Sequence, residues 1–293
     1  MDLRLDVFQL MPSFDSSQSG LHYSVHAPPV GGPSDVVLLH GLGSCGEDWG
    51  LQIPDLSRNY RVITPDLPGH GRSGVESASP TVLDMSRAVS ELLDELGGGA
   101  AHIVGLSLGG AVALQLAIDW PSQVRSLTAV NTFARLRLSR RGLGRMVGRL
   151  ILLMTGQMDW LGDWVAGGLF PGEGQTALRQ AAAARIAGNP WRAYLWAALA
   201  VTRFDCRRRL GDIRAPTLVV AGEKDTTVPL RAKRELASRI PGARLEIIPG
   251  SGHVTPVDAA GRFNAVLLRF FEAVDSSSGD VGLRKARAAI RPE

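Results

Sequence analysis

The pentapeptide Gly105-Leu106-Ser107-Leu108-Gly109 constrains the fold of this chain more than any other segment. The apolar run His102-Ile103-Val104 precedes it, and a helix-like stretch over residues 110–120 follows it. This pattern predicts a strand, a very sharp turn and a helix. Glycine on either side lets two backbones pass closely, so that Ser107 is held at the tip of the turn with its hydroxyl exposed. The backbone N–H of Leu108 then opens the helix as a free donor.

Strand-like and helix-like segments alternate on both sides of this turn. Short apolar runs bounded by turn residues are typical of strands buried on both faces. The predicted strands are 21–25, 36–39, 60–64, 101–106, 124–130, 217–221 and 244–248, and the predicted helices are 81–96, 108–120, 231–240 and about 257–274. Such alternation favours an α/β fold with a mostly parallel central sheet and helices on both faces.

The alternation is interrupted once. Residues 133–212 contain no convincing strand, and we predict that they form a helical insertion into the sheet domain. For 293 residues, one large domain with an insertion fits as well as two domains. We therefore divide the chain into a leader, a core in two parts, the insertion and a disordered polar tail, which are 1–20, 21–132 with 213–274, 133–212 and 275–293.

The composition excludes several classes of protein. With 45% apolar and 20% charged residues and a net charge of +4, the chain is ordinary for a globular protein. Cys45 and Cys206 are far apart, which indicates neither a disulfide framework nor a zinc site. No nucleic-acid-binding motif accompanies the local arginines. The N-terminus lacks the features of a signal peptide, and the apolar run 150–154 is too short to span a bilayer, so we expect a cytoplasmic protein.

A serine hydroxyl is a poor nucleophile unless a base takes its proton. In sites built on such a strand–turn–helix, an acid and then a histidine follow the serine along the chain. His253 is the only one of the six histidines that follows Ser107. Asp225 comes directly after a predicted strand and is the best-placed acid between them, with Glu223 as second choice.

The segment His40-Gly41-Leu42-Gly43 follows the buried strand 36–39. A glycine-flanked turn at that edge of the sheet can direct the Leu42 N–H inward. Together with the Leu108 N–H it would form a two-donor site for a developing oxyanion. We predict that His40 braces this turn instead of reacting.

Taken together, these segments resemble the α/β-hydrolase fold superfamily, in particular its capped serine hydrolases. The resemblance covers most of residues 21–274. It rests on five motifs in the right order and spacing, namely His40-Gly41-Leu42-Gly43, Asp66-Leu67-Pro68-Gly69-His70-Gly71-Arg72-Ser73, Gly105-Leu106-Ser107-Leu108-Gly109-Gly110, Gly222-Glu223-Lys224-Asp225 and Gly252-His253.

The resemblance implies a catalytic triad of Ser107, Asp225 and His253, and a helical cap formed by residues 133–212. It implies hydrolysis of an ester, lactone or thioester with an apolar acyl part, without metal or organic cofactor. Serine at the turn argues against the haloalkane- and epoxide-opening members, which use aspartate there. Hydrolysis of carbon–carbon bonds in ring-cleavage products stays open, although Val254 follows His253 where many such enzymes have tryptophan. Perhydrolase activity and a non-catalytic small-ligand receptor are further alternatives.

Other conspicuous residues have simpler interpretations. We expect Asp66 and His70 to shape a tight loop and Cys45 to fill apolar space. The tryptophans of the insertion are predicted to pack first and to line an acyl pocket second. An arginine cluster is predicted to be a solvated helix face, with contact to a membrane surface as the lesser alternative. The cluster consists of Arg135, Arg137, Arg140, Arg141, Arg145 and Arg149.

Overall fold

The computed structural model describes residues 13–27, 34–74, 79–97, 99–136 and 140–289, and for 140–143, 145–146 and 278–289 the backbone alone. Its centre is one eight-stranded sheet. The strands are β1 Ser13–Asp15, β2 His22–His26, β3 Asp35–Leu39, β4 Arg61–Pro65, β5 Ala101–Leu106, β6 Val124–Val130, β7 Thr217–Gly222 and β8 Arg244–Ile248. All seven predicted strands are present, with ends that differ from the prediction by at most one residue.

The strands are ordered β1-β2-β4-β3-β5-β6-β7-β8 across the sheet. β1 and β2 are antiparallel to their neighbours, whereas the pairs from β4 to β8 are parallel. The direction of strand addition reverses between β3 and β5, which are adjacent. In open α/β sheets, ligands bind at the carboxyl ends of the strands at such a switch point. The predicted α/β class with a mostly parallel sheet is confirmed.

Ten helices accompany the sheet in the described part of the chain. They are α1 Ile53–Leu56, α2 Val82–Glu95, α3 Leu108–Asp119, α4 Arg140–Met154, α5 Met158–Leu169, α6 Thr176–Ala187, α7 Trp191–Arg203, α8 Leu230–Arg239, α9 Thr255–Asp258 and α10 Ala260–Ala289. The four helices between β6 and β7, α4 to α7, are called the inserted helices below. No helix of the described residues has the length and apolarity needed to cross a bilayer.

The central strands bury both of their faces, which is why their sequences are continuous apolar runs. Val37 and Ile103 point into one core layer, which they share with α2 and α3. Their neighbours Val36 and Val104 point into the other layer, where Phe263 of α10 packs. This alternation follows from the two-residue period of a strand.

Helix α3 passes through the middle of the molecule. It is buried from Leu108 to Leu114 and packs against β5, β6 and α2. A helix with no polar face needs cover on every side, and this position provides it. The start of α3, and the turn before it, are therefore held firmly at the centre of the sheet edge.

Helix α2 begins as the sequence predicts. The Thr81 N–H donates to Asp84 Oδ2 at 2.9 Å, and the Asp84 N–H donates to Thr81 Oγ1 at 3.2 Å. This reciprocal arrangement satisfies two N–H groups that the first turn of a helix leaves without a partner.

The two ends of the chain differ from the expected division. β1 lies within the segment expected to be a leader, and its three exposed residues carry no apolar alternation that could have revealed it. The last predicted helix is interrupted at Ala259, and α10 then continues to Ala289 through most of the segment expected to be disordered. Its second half contains Leu283, Arg284, Lys285, Ala286, Arg287, Ala288 and Ala289, which are residue types that favour helix. Residues 1–12 and 290–293 of the leader and tail lie outside the described residues.

Candidate active site

Ser107 forms the turn between β5 and α3. Its backbone has φ of 54° and ψ of −108°, a conformation that residues other than glycine rarely adopt. The Ser107 N–H donates to Val130 O at 3.0 Å, and Thr132 Oγ1 donates to Ser107 O at 2.7 Å. The neighbouring strand β6 thus holds the turn in place. A strained backbone that is held in this way is typical of functional sites.

Two glycines make this turn sterically feasible. A Cβ at Gly105 would overlap the carbonyl oxygen of Gly109, and a Cβ at Gly109 would overlap the carbonyl oxygen of Leu39 at the end of β3. The backbones of β3, β5 and α3 are therefore in direct contact at this point. Only glycine permits that approach, as the pentapeptide predicts.

His253 lies in the loop after β8, and Asp225 lies in the turn after β7. Nδ1 of His253 and Oδ2 of Asp225 are 2.9 Å apart, and both side chains are buried. Since an ionised carboxylate can only accept, Nδ1 carries the proton, and Nε2 is the acceptor nitrogen of the neutral ring. The other oxygen, Oδ1, accepts the N–H groups of Thr227 and Val228 at 2.8 and 3.1 Å.

The environment of Asp225 keeps its carboxyl group ionised. Burial by itself would raise the pKa of this group. The neighbouring His253, and after it Lys233, outweigh burial and lower the pKa of Asp225 to about 2. An ionised carboxylate in this position favours a positive charge on the adjacent imidazole.

Lys233 is a site residue that sequence reasoning missed. Its side chain is fully buried, its Nζ lies 2.6 Å from Asp225 Oδ2, and it also donates to Val228 O. Burial lowers the pKa of Lys233 below its ordinary value, although the neighbouring Asp225 opposes that shift. The helical period held the signal, because Lys233 precedes the buried Leu236 of α8 by three residues and shares its face.

Asn131 is the second residue that was missed. It directly follows β6, is fully buried, and has φ of 44°. Its Nδ2 donates to His253 O and to Thr255 Oγ1, both at 2.8 Å, and its Oδ1 accepts the Gly222 N–H at 2.8 Å. One amide thereby joins the ends of β6 and β7 to the loop that carries His253. The only sequence signal was an asparagine at the carboxyl edge of a central strand.

We expect Asn131→Ala to reduce catalytic turnover by about 10- to 100-fold, because the backbone of His253 loses its anchor and small misplacements are costly. The measurement is kcat/KM on any substrate that the wild-type protein is found to turn over. Gln123→Ala is the matched control, since Gln123 is a buried amide at the other end of β6 that bonds Asp94 at 2.7 Å. Equal losses of turnover in the two variants would contradict a specific role for Asn131.

The turn that follows β3 lies beside Ser107. The Leu67 N–H donates to His40 Nε2 at 2.9 Å, so Nδ1 carries the proton and donates to Gly41 O at 2.8 Å. Burial lowers the pKa of His40 to about 4, which keeps the ring neutral. A Cβ placed on Gly41 would lie 3.8 Å from the Ser107 Cβ. His40 thus braces the turn, as predicted, and the turn faces the serine.

The two residues predicted to supply oxyanion donors are Leu42, in the turn after β3 that lies beside Ser107, and Leu108, which directly follows the serine. Leu42 is half-buried and contributes to the wall of a cavity, whereas Leu108 is the first residue of α3 and is buried behind that wall. The N–H groups in the first turn of a helix have no acceptor within the helix. The pairing of these two N–H groups with an oxyanion stays a prediction.

A cavity of about 440 Å³ lies between the carboxyl edge of the sheet and the inserted helices. Ser107 and His253 both belong to its wall, while Asp225 lies behind His253. The inserted helices contribute mainly apolar side chains. Among these are Leu150, Leu153, Val165, Leu169, Leu178, Ile186, Tyr194, Leu195 and Leu199. The serine and the histidine therefore face one largely apolar space.

Two arginines of the inserted helices also lie in the cavity wall. Arg185 pairs with Glu47 and Asp48 at 2.9 and 3.3 Å. Arg149 is half-buried there, so the prediction that the arginine cluster forms only a solvated face is wrong for this member. Of the rest of the cluster, Arg135 lies 3.8 Å from Asp205, and the side chains of Arg137, Arg140, Arg141 and Arg145 lie outside the described residues.

The tryptophans of the insertion follow the prediction only in part. Trp160, Trp164 and Trp191 are 68%, 41% and 38% exposed. None of these three, nor the half-buried Trp196, belongs to the cavity wall. The expectation of close packing is wrong for Trp160, whereas the ring of Trp164 packs against the backbone of Gly148 in α4, where an added Cβ would overlap it. Leucine and other aliphatic residues line the cavity instead.

The loop residues behave as expected. Asp66 accepts the Gly46 N–H at 2.7 Å and the Arg72 N–H at 2.8 Å, which folds two loops onto one carboxylate. Cys45 is 2% exposed, and burial, assisted by Asp48, raises the pKa of its thiol to about 12. A thiol in that state is a poor nucleophile, so Cys45 serves as apolar filling.

The eight-stranded, mostly parallel sheet carries a sharp serine turn and a buried histidine–aspartate pair at its carboxyl edge. This combination of fold and site is typical of α/β hydrolases. The chain belongs to the alpha/beta hydrolase family, whose family model matches residues 36–266. Membership in this family makes the protein an enzyme, a hydrolase, in agreement with the resemblance drawn from its motifs.

Several individual members of the family are similar to this chain along most of its length. A putative carbamate hydrolase, RutD, of Caulobacter vibrioides (strain NA1000 / CB15N) is 33% identical over 266 residues, covering 86% of this chain and 96% of that protein. The crystal structure of the enol-lactonase from Burkholderia xenovorans LB400 superimposes with a TM-score of 0.82 at 26% identity, covering 89% of this chain and 100% of that one. Est816, an N-acyl homoserine lactone degrading enzyme, gives a TM-score of 0.73 at 26% identity, covering 88% and 100%.

Proposed function

We propose that this protein hydrolyses a carboxylic ester, lactone or thioester through a covalent acyl-enzyme. Ser107 is the nucleophile, His253 is the general base and acid, and Asp225 orients the histidine. The observation that carries this proposal is that the serine and the histidine–aspartate pair lie at the same cavity. The strained Ser107 and the buried His253–Asp225 pair meet at the wall of one apolar cavity.

In the first step, Ser107 Oγ forms a bond to the substrate's carbonyl carbon, and the π electrons of the carbonyl move onto its oxygen. His253 Nε2 takes the hydroxyl proton during this attack. Asp225 stabilises the resulting imidazolium through the 2.9 Å hydrogen bond to Nδ1 and does not itself become protonated.

The tetrahedral intermediate carries a negative oxygen, which the N–H groups of Leu42 and Leu108 stabilise. Each such donor contributes about 3 kcal/mol to transition-state stabilisation in comparable sites. When the carbonyl re-forms, the bond to the leaving oxygen or sulfur breaks, and His253 returns its proton to that atom. Water then attacks the acyl carbon and gives a proton to His253. When this second tetrahedral intermediate collapses, the bond from the carbon to Ser107 Oγ breaks and His253 returns the proton to Oγ, which releases the acid and free Ser107.

The inserted helices act as the cap that determines the substrate. Their aliphatic side chains form most of the cavity wall, which suits an acyl group with an apolar part. Two of the similar proteins are named for lactone substrates and one for a carbamate. We therefore place lactones and short apolar esters first among the candidates, and a carbamate next to them.

The test is covalent labelling combined with turnover. A fluorophosphonate should add once to the wild-type protein, and peptide mass mapping should place the adduct on Ser107. The same protein should hydrolyse p-nitrophenyl butyrate, and a panel of lactones, N-acyl homoserine lactones and carbamates then identifies the preferred class. Ser107→Ala should lose both the adduct and the turnover because no other group can form the acyl-enzyme.

Ser44→Ala provides the matched control. Ser44 is another serine in the wall of the same cavity, where its Oγ donates to Asp48 at 2.6 Å. This variant should keep both the adduct and the turnover. Persistence of the adduct in Ser107→Ala would disprove the assignment of the nucleophile.

A further inference from the structure

A buried lysine touches the same carboxylate oxygen that holds the histidine. Asp225 Oδ2 lies 2.9 Å from His253 Nδ1 and 2.6 Å from Lys233 Nζ. Lys233 and Asp225 are both fully buried at their side chains, so water does not screen the pair. This contact is built by α8 and is not needed for the charge balance of a serine, histidine and aspartate site.

We propose that Lys233 is a positioning residue that sets the acidic limit of the enzyme's working pH range by sharing Asp225 Oδ2 with His253. This inference rests on the proposed function, in which His253 is the base. Lys233 touches neither the substrate nor the reacting atoms, since it does not belong to the cavity wall.

The geometry leaves the carboxylate a single orientation. Its Oδ1 accepts the N–H groups of Thr227 and Val228, and its Oδ2 accepts from His253 and Lys233. Lys233 is itself held, because its ammonium group also donates to the carbonyl of Val228. The donors thus occupy both oxygens, and rotation of Asp225 would break several bonds at once.

The electrostatic consequence has a definite sign. During attack by the serine, His253 becomes a cation beside Asp225. With Lys233 charged, the cluster then carries one net positive charge, whereas without Lys233 it would be neutral. Lys233 therefore disfavours the imidazolium, and we expect the protein to keep its activity to a lower pH than a variant that lacks this charge.

Other charged groups near His253 come from each element packed around it. Glu223, from the turn after β7, and Asp258, from α9, accept the backbone N–H groups of Gly250 and Gly252 in the loop of His253, at 2.8 and 2.6 Å. The charged groups of the cavity wall itself are Asp48 from the core with Arg149 and Arg185 from the inserted helices. All of these groups are unchanged when Lys233 is replaced, so a shift of the pH profile reports on Lys233 alone.

A purely structural lysine would behave differently. A buried ion pair is weak evidence for stability, since apolar residues of similar volume often replace such pairs without loss. If Lys233 only held α8 against the turn after β7, its replacement would lower the melting temperature and would reduce kcat/KM by the same factor at every pH. The pH profile therefore separates the two roles.

The experiment compares the pH dependence of kcat/KM for the wild type and Lys233→Met, which is close to lysine in volume. We expect the acid limb to move to higher pH by about one unit, which is a roughly tenfold lower relative rate on that limb. Lys224→Met is the matched control, because it removes an exposed lysine charge next to Asp225 in sequence. Its acid limb should coincide with that of the wild type.

A second measurement does not require activity. The titration of the His253 imidazole, followed by NMR and assigned with His253→Asn, should move to higher pH in Lys233→Met by the same amount. If the wild type shows no turnover but this shift is present, the proposed function fails and the role of Lys233 stands. An unshifted titration and an unshifted acid limb overturn the proposal. Should Lys233→Met not fold, Lys233→Gln removes the same charge and carries the same expectations.

Discussion

Replacing His253 by asparagine is expected to lower kcat/KM by about 10⁴-fold or more, because the site would lose the group that we propose takes the proton from Ser107. The asparagine amide can still donate to Asp225, so the carboxylate keeps a partner and the fold is preserved. The measurement is hydrolysis of p-nitrophenyl butyrate together with the rate of phosphonate labelling. Both should fall together, since both depend on the nucleophilicity of the same hydroxyl.

The control for this prediction is His102→Asn. His102 is fully buried at the start of β5, at the opposite end of that strand from Ser107, where its Nδ1 lies 2.7 Å from Ser126 Oγ. This variant should cost stability and leave kcat/KM within about threefold of the wild type, because distant sites act independently. If His253→Asn kept a tenth of the wild-type activity, His253 would not be the base.

Gly109→Ala is expected to destabilise the protein by about 3 kcal/mol or more, at the upper end of what overpacking costs. The added methyl group would overlap the carbonyl oxygens of Leu39 and His40, which are backbone atoms of β3 and the following turn and cannot rotate away. Because His40 braces Gly41, any fraction that folds should also have a displaced turn beside Ser107. Urea unfolding followed by circular dichroism gives the change in free energy of unfolding.

Gly211→Ala is the matched control for the glycine prediction. A Cβ at Gly211 meets no heavy atom within 4 Å, and its backbone does not require glycine. That variant should unfold within about 0.5 kcal/mol of the wild type, as surface substitutions usually do. Equal unfolding midpoints for Gly109→Ala and Gly211→Ala would show that α3 does not lie against β3 as closely as described.

Much of the fold could be predicted because its signals are local. A strand buried on both faces is a short apolar run, and the runs at 36–39 and 101–106 were recognised for that reason. Helix α2 could be predicted because its apolar residues recur with the helical period and because Thr81 and Asp84 form a capping pair at its start. The edge strand β1 left no such signal, because an exposed strand of three residues has neither an apolar face nor a run.

The residues of the candidate site also divide into those that the sequence revealed and those that it did not. The order of Ser107, Asp225 and His253 along the chain selected these residues, since only one histidine follows the serine. Asn131 and Lys233 could not be selected in this way. Each contacts the site through hydrogen bonds that form only when separate strands and helices meet. The helical period places Lys233 on the buried face of α8, but it does not show which carboxylate that face meets.

By itself, the sequence determined the alternating α/β core and the sharp glycine-flanked turn at Ser107, because both depend on the size and polarity of neighbouring residues. The tertiary structure alone decided what surrounds that turn. It placed the inserted helices against the sheet edge to enclose a cavity, and it brought Lys233 of α8 onto the carboxylate that holds His253. Such contacts depend on distances across the folded chain. Burial then strengthens the attraction between Lys233 and Asp225, since water does not screen a buried charge pair.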